Sequence, residues 1–222
     1  MHMDRQNSPA SPRVAARLVK TVLSILLFLG LSSATLAAPL VLPANTALQA
    51  RLAGYPIDAG SLPSAVTAAF VAQEDRYFWE RLEDRKTSTL TEAATRLLLS
   101  EATPAWSQAS PLEKKDAVEE VTKRLDAPDI LTLYLNLLPF GEELTGLDAA
   151  ARHYFDHPAD KLSPAQAAWL AAISRAPALA LMPANRDRTN TQRDYILREM
   201  AKSGAITEED LADQLSVAVP GE

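Results

Sequence analysis

Glu74 is the residue of this sequence whose surroundings most suggest chemistry. It interrupts an apolar series that recurs every four residues and that an α-helix would place on one face. A carboxylate buried in such a stripe can take a proton from a substrate hydroxyl. The alternative is a carboxylate at the rim of the core, paired with Arg76 or Arg81, and the spacing alone favours that alternative. The series consists of Val66, Phe70, Glu74 and Phe78.

The elements that would position this carboxylate are helices. The best helix start is Ser163-Pro164-Ala165-Gln166, which combines an N-cap, a first-turn proline and a capping-box glutamine. Helical signals recur along the chain without a convincing strand, repeat or phosphate loop, so the sequence predicts a mainly α fold. The predicted helices begin after Ser61, cover 89–99, 112–125, 128–138, 147–155, 165–173 and 189–202, and end with one that opens at Thr207.

Composition narrows the classes of function. The chain has 222 residues and 47% hydrophobic content, enough for one compact domain with little room for a second. A net charge of −6 argues against a nucleic-acid surface. The absence of cysteine excludes disulfides and thiol catalysis. His2, His153 and His157 have no partners at metal-ligand spacing, so the residues predict no metal site.

The N-terminus carries a basic segment followed by an uncharged one. Residues 21–42 contain no charge and are long enough to span a bilayer, while the small residues at 32–37 also suit cleavage of a signal peptide. Both interpretations stay open, and both put the rest of the chain on the periplasmic side, either held at the inner membrane or released. We divide the chain into an anchor or signal peptide at 1–42, a linker at 43–60 and a folded domain at 61–222. The basic residues are Arg5, Arg13, Arg17 and Lys20.

Several segments, taken in order, carry a family resemblance. They are Gln73-Glu74-Asp75-Arg76-Tyr77-Phe78, Ser88-Thr89-Leu90-Thr91, Ile130-Leu131-Thr132-Leu133-Tyr134-Leu135-Asn136, Gly146 to Phe155, Arg175-Ala176-Pro177 and Arg193 to Met200. Together they resemble the peptidoglycan glycosyltransferase family, which comprises the transglycosylase domain of class A penicillin-binding proteins and the monofunctional transglycosylases. The resemblance runs from about Tyr55 to Gln214 and is stronger in its C-terminal half.

The resemblance implies a single lysozyme-like helical domain that joins lipid-linked disaccharides into glycan strands. Glu74 would then be the base that takes the acceptor's proton, which favours the catalytic interpretation. Arg96 would meet the pyrophosphate where the family has a lysine, although an ordinary solvated arginine fits equally. Ser88, Thr89 and Thr91 would hydrogen-bond the pyrophosphate, or else cap their helix. The substrate-binding candidates are Arg76, Ser88, Thr89, Thr91, Arg96 and Asn136.

The chain also departs from the family pattern near the expected cleft. Lys86-Thr87 and Glu92-Ala93 replace a Gly-Gly and a Gln-Gln pair, and the stretch from Phe78 to Ser88 is much shorter than usual. Family members often use a divalent cation near the pyrophosphate, but the sequence offers no dedicated ligand set for one.

The family's second catalytic glutamate has no clear counterpart. An ungapped count places Lys114 at its position, on the same helix face as Val118. A lysine there would form an ion pair with Glu74 in place of a two-carboxylate site. A slip of one residue would instead restore Glu113 as the second catalytic carboxylate.

Three functions are therefore open. The first is an active glycosyltransferase that acts on lipid-linked peptidoglycan precursor, with Glu74 as base. The second is a non-catalytic scaffold that binds cell-wall or secretion assembly proteins and contacts the membrane through residues 21–42. The third is a lysozyme-like lytic glycosidase with Glu74 as general acid, which no motif favours.

Overall fold

The computed structural model describes residues 40–102, 105–141 and 143–220. Within these ranges the chain forms α-helices, three short 3₁₀ helices and one isolated β-bridge between Pro139 and Thr145, with no β-strand. The mainly α class predicted from the sequence is confirmed. The α-helices are α1 (Asn45–Ala53), α2 (Ser64–Glu74), α3 (Phe78–Glu83), α4 (Thr89–Ala102), α5 (Ala105–Gln108), α6 (Pro111–Arg124), α7 (Ala127–Leu137), α8 (Leu147–Phe155), α9 (Pro164–Ser174), α10 (Pro177–Ala180), α11 (Arg186–Lys202) and α12 (Glu208–Leu215). The 3₁₀ helices are Ala59–Ser61, Ala159–Lys161 and Pro183–Asn185.

Helix α9 lies at the centre of one half of the core. Its capping box is formed as predicted, because Ser163 Oγ accepts from the Gln166 amide while the Gln166 side chain accepts from the Ser163 amide. Apolar and small residues are buried nearly all round this helix. It packs most extensively against α11 and α2, so it fixes the helix that ends at Glu74.

Helix α7 is the corresponding buried element of the other half. Every residue from Ile130 to Leu137 is buried, and the helix packs mainly against α4. Its N-cap is Asp126, whose side chain accepts from the Asp129 amide. Gly146 follows with φ of +92°, and a Cβ there would lie 3.0 Å from the Asn136 carbonyl oxygen. The chain therefore needs glycine where α8 begins against the end of α7.

The stretch 43–60, for which the sequence predicts a linker, is packed onto α7. It contains α1, and Leu48, Leu52 and Ile57 are buried in the same core as the helices that follow. The Ala59 amide donates to Thr132 Oγ1 over 3.0 Å. These contacts make the stretch part of the folded domain.

The predicted membrane segment falls mostly outside the described residues, which leave out residues 21–39. Among the residues that the structure does describe, no helix is both long and apolar enough to cross a bilayer.

Candidate functional site

Glu74 is the last residue of α2 and its side chain is only 13% exposed. Its ion-pair partner is Arg175, at the C-terminal end of α9, with 3.8 Å between Arg175 Nε and Glu74 Oε1. The cations that the sequence suggested as partners are engaged elsewhere. Arg81 lies 3.4 Å from Asp75, and Arg76 lies 3.8 Å from Glu199.

Tyr134 approaches the same carboxylate from α7. Its ring is 1% exposed and meets Phe70 edge to face, with 6.4 Å between ring centroids. The hydroxyl is buried beside the Glu74 and Ser174 side chains, without a hydrogen bond of ordinary geometry to either. Burial, and then the negative charge of Glu74, raise the pKa of Tyr134 well above its usual value. The phenol therefore stays neutral and lies beside the candidate base.

The sequence prediction gave neither Arg175 nor Tyr134 a role, although both stand in the segments that carry the family resemblance. The available signal for Tyr134 was a phenol inside an otherwise apolar helix, since a buried tyrosine hydroxyl ordinarily needs a polar neighbour. No comparable signal marks Arg175, whose pairing with Glu74 depends on how α2 and α9 pack.

Asp75 joins the end of α2 to the start of α4. One of its carboxylate oxygens accepts from the Tyr77 amide at 3.1 Å, and the other accepts from the Thr89 amide at 3.3 Å. Thr89 Oγ1 in turn donates to the Glu74 carbonyl oxygen at 2.6 Å. This buried aspartate therefore fixes the backbone on both sides of the candidate base.

Ser88 and Thr91 cap a helix. Ser88 precedes α4, and its Oγ accepts from the Thr91 amide at 2.9 Å and lies 2.8 Å from Thr91 Oγ1. Thr91 is completely buried. Helix capping describes Ser88, Thr91 is the residue whose amide is capped, and Thr89 is exposed.

Thr89 opens onto a groove of about 420 Å³ between α4 and α6, which we call the Lys114 groove. Three of its lining residues are cations, Arg81, Lys114 and Lys115, and one is a carboxylate, Glu92. Lys114 Nζ lies 5.6 Å from the centre of the Trp106 ring, and the Glu74 side chain is not part of the lining. An excess of positive charge beside hydroxyl groups suits an anion such as a phosphate. The groove is lined by Arg81, Thr87, Ser88, Thr89, Glu92, Pro111, Lys114, Lys115 and Val118.

Glu113 is held in a capping box at the start of α6. Its Oε2 accepts from the Ser110 amide at 2.8 Å and from Ser110 Oγ at 2.7 Å. These hydrogen bonds lower the pKa of Glu113, which is exposed. The position one residue on, Lys114, is the one that faces the groove. Lys114 stacks on Trp106, and the ion pair of Glu74, expected with Lys114, is made by Arg175.

The remaining substrate-binding candidates are dispersed. Asn136 is expected to contact substrate, but it is buried and donates to the carbonyl oxygens of Ile57 and Thr132, both at 2.8 Å. Its bond to Ile57 holds the N-terminal stretch against α7. Arg76 is exposed and lies over the Tyr77 ring at 4.8 Å. Arg96 is exposed on α4, beyond the residues that line the Lys114 groove.

The residues present do not fit a dedicated divalent-cation site. Such cations prefer several oxygen ligands, whereas the Lys114 groove offers one carboxylate among three cationic side chains. In the part of the chain that the structure describes, no group of three or more His, Asp or Glu residues could hold a metal ion.

Comparisons with known proteins find transglycosylases among the relatives of this chain. Residues 83–201, more than half of the chain, match the family model described as Transglycosylase. Biosynthetic peptidoglycan transglycosylases of Yersinia pestis (strain Pestoides F) and Yersinia pseudotuberculosis serotype O:1b (strain IP 31758) are each 42% identical over 78 residues. That match covers 35% of this chain and 32% of each relative, so the chain spans about a third of the length of the curated relatives it matches.

Penicillin-binding protein 1A of Haemophilus influenzae is a structural neighbour, with a TM-score of 0.45 and 21% identity over 74% of this chain and 17% of that one. On the match of more than half of its length to the family model, the chain belongs to the transglycosylase family.

Proposed function

We propose that this peptidoglycan glycosyltransferase-like domain binds the pyrophosphate of a lipid-linked disaccharide in the Lys114 groove without polymerising it. The observation that carries the proposal is that the cations expected to bind the pyrophosphate are separated from the carboxylate expected to act as base. Cations line the groove, while Glu74, the candidate base, lies outside the lining and is paired with Arg175.

Binding is supported by the charges of the groove. Arg81, Lys114 and Lys115 outnumber Glu92 in the lining. Arg81 is paired with Asp75 and Lys115 with Glu119, so Lys114 contributes most of the uncompensated charge. The exposed Thr87 hydroxyl adds a donor. Phosphate oxygens are strong acceptors, and hydrogen bonds from charged donors are about twice as strong as neutral ones. Because lysine and arginine heads at this groove are partly solvated, salt should weaken the binding.

The positions and partners of Glu74 and Glu113 support the proposal that no glycan is polymerised. A general base must reach the proton that it removes, within hydrogen-bond distance of the acceptor hydroxyl. Glu74 is directed at Arg175 and Tyr134, and Glu113 is committed to the Ser110 capping box. Glu92 is the carboxylate that lines the Lys114 groove, and neither Glu74 nor Glu113 is among its lining residues.

Active polymerisation with Glu74 as base is the second candidate, and one observation favours it. The ion pair with Arg175 is long, at 3.8 Å, and the Arg175 side chain is 66% exposed. The exposed arginine can rotate into solvent, and the main cost is the loss of a cationic partner for the largely buried Glu74 carboxylate. Glu74 would then be free to accept a proton.

The test measures binding and turnover separately, with the full-length chain in detergent and a fluorescent lipid-linked disaccharide. We expect binding by the native chain, binding lost in Lys114→Glu/Lys115→Glu, and no glycan chains from any variant. Lys123→Glu is the matched control, because nine helical residues at 100° each put it on the side of α6 opposite Lys114.

Glycan chains made by the native chain and absent with Glu74→Gln would establish the active alternative. Binding that survives the double reversal as well as it survives Lys123→Glu would overturn the assignment of the Lys114 groove. Circular dichroism of each variant confirms that it is folded.

A further inference from the structure

A short apolar loop lies on the surface of the domain immediately after Arg175. Residues 176–185 carry no charge, and we call this segment the apolar loop. Within it Leu179 is 60% exposed, Leu181 41% and Met182 50%. Single exposed apolar residues are normal on a protein surface, whereas three large ones within four positions need a reason.

The backbone of the apolar loop is hydrogen-bonded within itself. The amides of Leu179, Leu181 and Met182 donate to carbonyl oxygens between Ala176 and Leu179 at 3.0–3.2 Å. Asn185 Nδ2 donates to the Leu179 carbonyl oxygen at 2.8 Å, and two prolines in the loop have no amide hydrogen to satisfy. Lipid tolerates only a backbone whose polar groups are paired, and this loop meets that condition at its tip.

The base of the loop is anchored to the domain. Ala180 packs against the hydrophobic core, and its carbonyl oxygen accepts from Thr189 Oγ1 at 3.0 Å. The exposed side chains on either side of Ala180 are therefore presented from a fixed platform.

Basic residues flank the apolar loop at both ends. Arg175, Arg186 and Arg188 are exposed, with Asp187 as the single acidic residue among them. This net positive charge stands against the net −6 of the whole chain. An apolar tip inside a basic collar matches a bilayer surface, where acyl chains accept the tip and anionic head groups attract the collar.

We infer that the apolar loop inserts Leu179, Leu181 and Met182 into the surface of an anionic bilayer. Insertion of this kind reaches about 5–10 Å, into the boundary between head groups and acyl chains. Since Arg175 begins the loop and pairs with Glu74, insertion brings the candidate carboxylate close to the membrane surface. The inference concerns lipid contact and does not depend on precursor binding or turnover.

The absence of cysteine in the sequence allows a direct test. Leu181→Cys in the full-length chain is labelled with an environment-sensitive fluorophore and reconstituted into vesicles of phosphatidylglycerol and phosphatidylcholine. We expect emission at shorter wavelength and quenching by lipids that carry a spin label near the head group. Lys123→Cys on α6 is the control and should show neither effect. Both variants contain residues 21–42, so any membrane contact made by that segment is the same in the two proteins.

Two outcomes would overturn the inference. One is a Leu181 label whose emission and quenching equal those of the Lys123 label. The other is a blue shift without lipid quenching that grows with protein concentration, which would assign the loop to a second copy of the chain. Adding Arg186→Glu and Arg188→Glu should reduce the quenching on anionic vesicles. Unchanged quenching would contradict the role of the basic residues in attracting the loop to anionic lipid.

Discussion

At the scale of single residues, the hydroxyl of Tyr134 is the least satisfied group near the candidate site. It is buried beside the Glu74 carboxylate and the Ser174 hydroxyl, and neither forms a hydrogen bond of ordinary geometry with it. A buried polar group without a partner costs about 1–3 kcal/mol, and the negative charge nearby makes deprotonation still less favourable. The residue therefore stores a cost that removal of one oxygen would release.

We predict that Tyr134→Phe raises the free energy of unfolding by about 1 kcal/mol at neutral pH. The folded-state pKa of Tyr134 is raised above the unfolded value. The folded state resists ionisation of the phenol, so the native protein keeps its full stability below pH about 10 and loses stability as pH rises from there toward the folded pKa. The advantage of the variant should widen above pH about 10. Urea unfolding at neutral and alkaline pH measures it.

Tyr195→Phe is the control for this prediction, because Tyr195 is 47% exposed. A Tyr134→Phe protein that is less stable than the native one at neutral pH would mean that the hydroxyl makes a stabilising contact. A difference that stays constant into the alkaline range would contradict the pH dependence.

The sequence predicts that Glu74 lies on a buried helix face, but it does not predict which residues contact the Glu74 side chain. The four-residue spacing predicts that Glu74 falls on a buried helix face, and the side chain is 13% exposed. Arg175 and Tyr134 come from α9 and α7, so their approach is set by helix packing, which sequence spacing does not encode. For Asn136 the family resemblance predicts contact with substrate, but its side chain donates to the Ile57 backbone, which tertiary packing brings to it.

At the scale of elements, helix starts are the features that the sequence encodes most directly. Ser163 and Gln166 predict the start of α9, and the capping box is present there. We predict that Ser163→Ala lowers the free energy of unfolding by about 1 kcal/mol, since it leaves the first-turn amides without a side-chain acceptor. Ser163→Thr keeps the acceptor and should stay close to the native value. Chemical denaturation of the three proteins compares them, and an alanine variant as stable as the native protein would contradict the role of the cap.

The same capping chemistry explains why Glu113 could not be assigned from sequence alone. A glutamate three residues after Ser110 satisfies a capping box as well as it satisfies an aligned catalytic position. Local hydrogen bonds decide between these roles, and in α6 they favour the cap. Helix α1 escaped prediction for a different reason. It is short, lies between Pro43 and Gly54, and is stabilised by tertiary contacts of Leu48 and Leu52.

At the scale of the whole molecule, the N-terminal stretch closes the core over α7. Asn136 exchanges hydrogen bonds with the Ile57 backbone, and the Arg124 guanidinium donates to the Pro43 carbonyl oxygen at 2.8 Å. Leu48 and Leu52 pack into the same core as the later helices. The folded unit therefore begins well before the boundary at residue 61 that composition suggests.

We predict that a chain covering 61–222 does not unfold cooperatively, whereas one covering 40–222 does. Removing 40–60 exposes the surface that Leu48, Leu52 and Ile57 cover. It also removes the two hydrogen bonds between the buried Asn136 amide and the Ile57 backbone. Each of these apolar side chains contributes about 1.5–3 kcal/mol by burial, and together they approach the 5–15 kcal/mol that holds a typical domain folded. Thermal melts followed by near-ultraviolet circular dichroism compare the two chains. A sharp transition for 61–222 at the temperature of 40–222 would show that the helices from α2 onward form a complete domain by themselves.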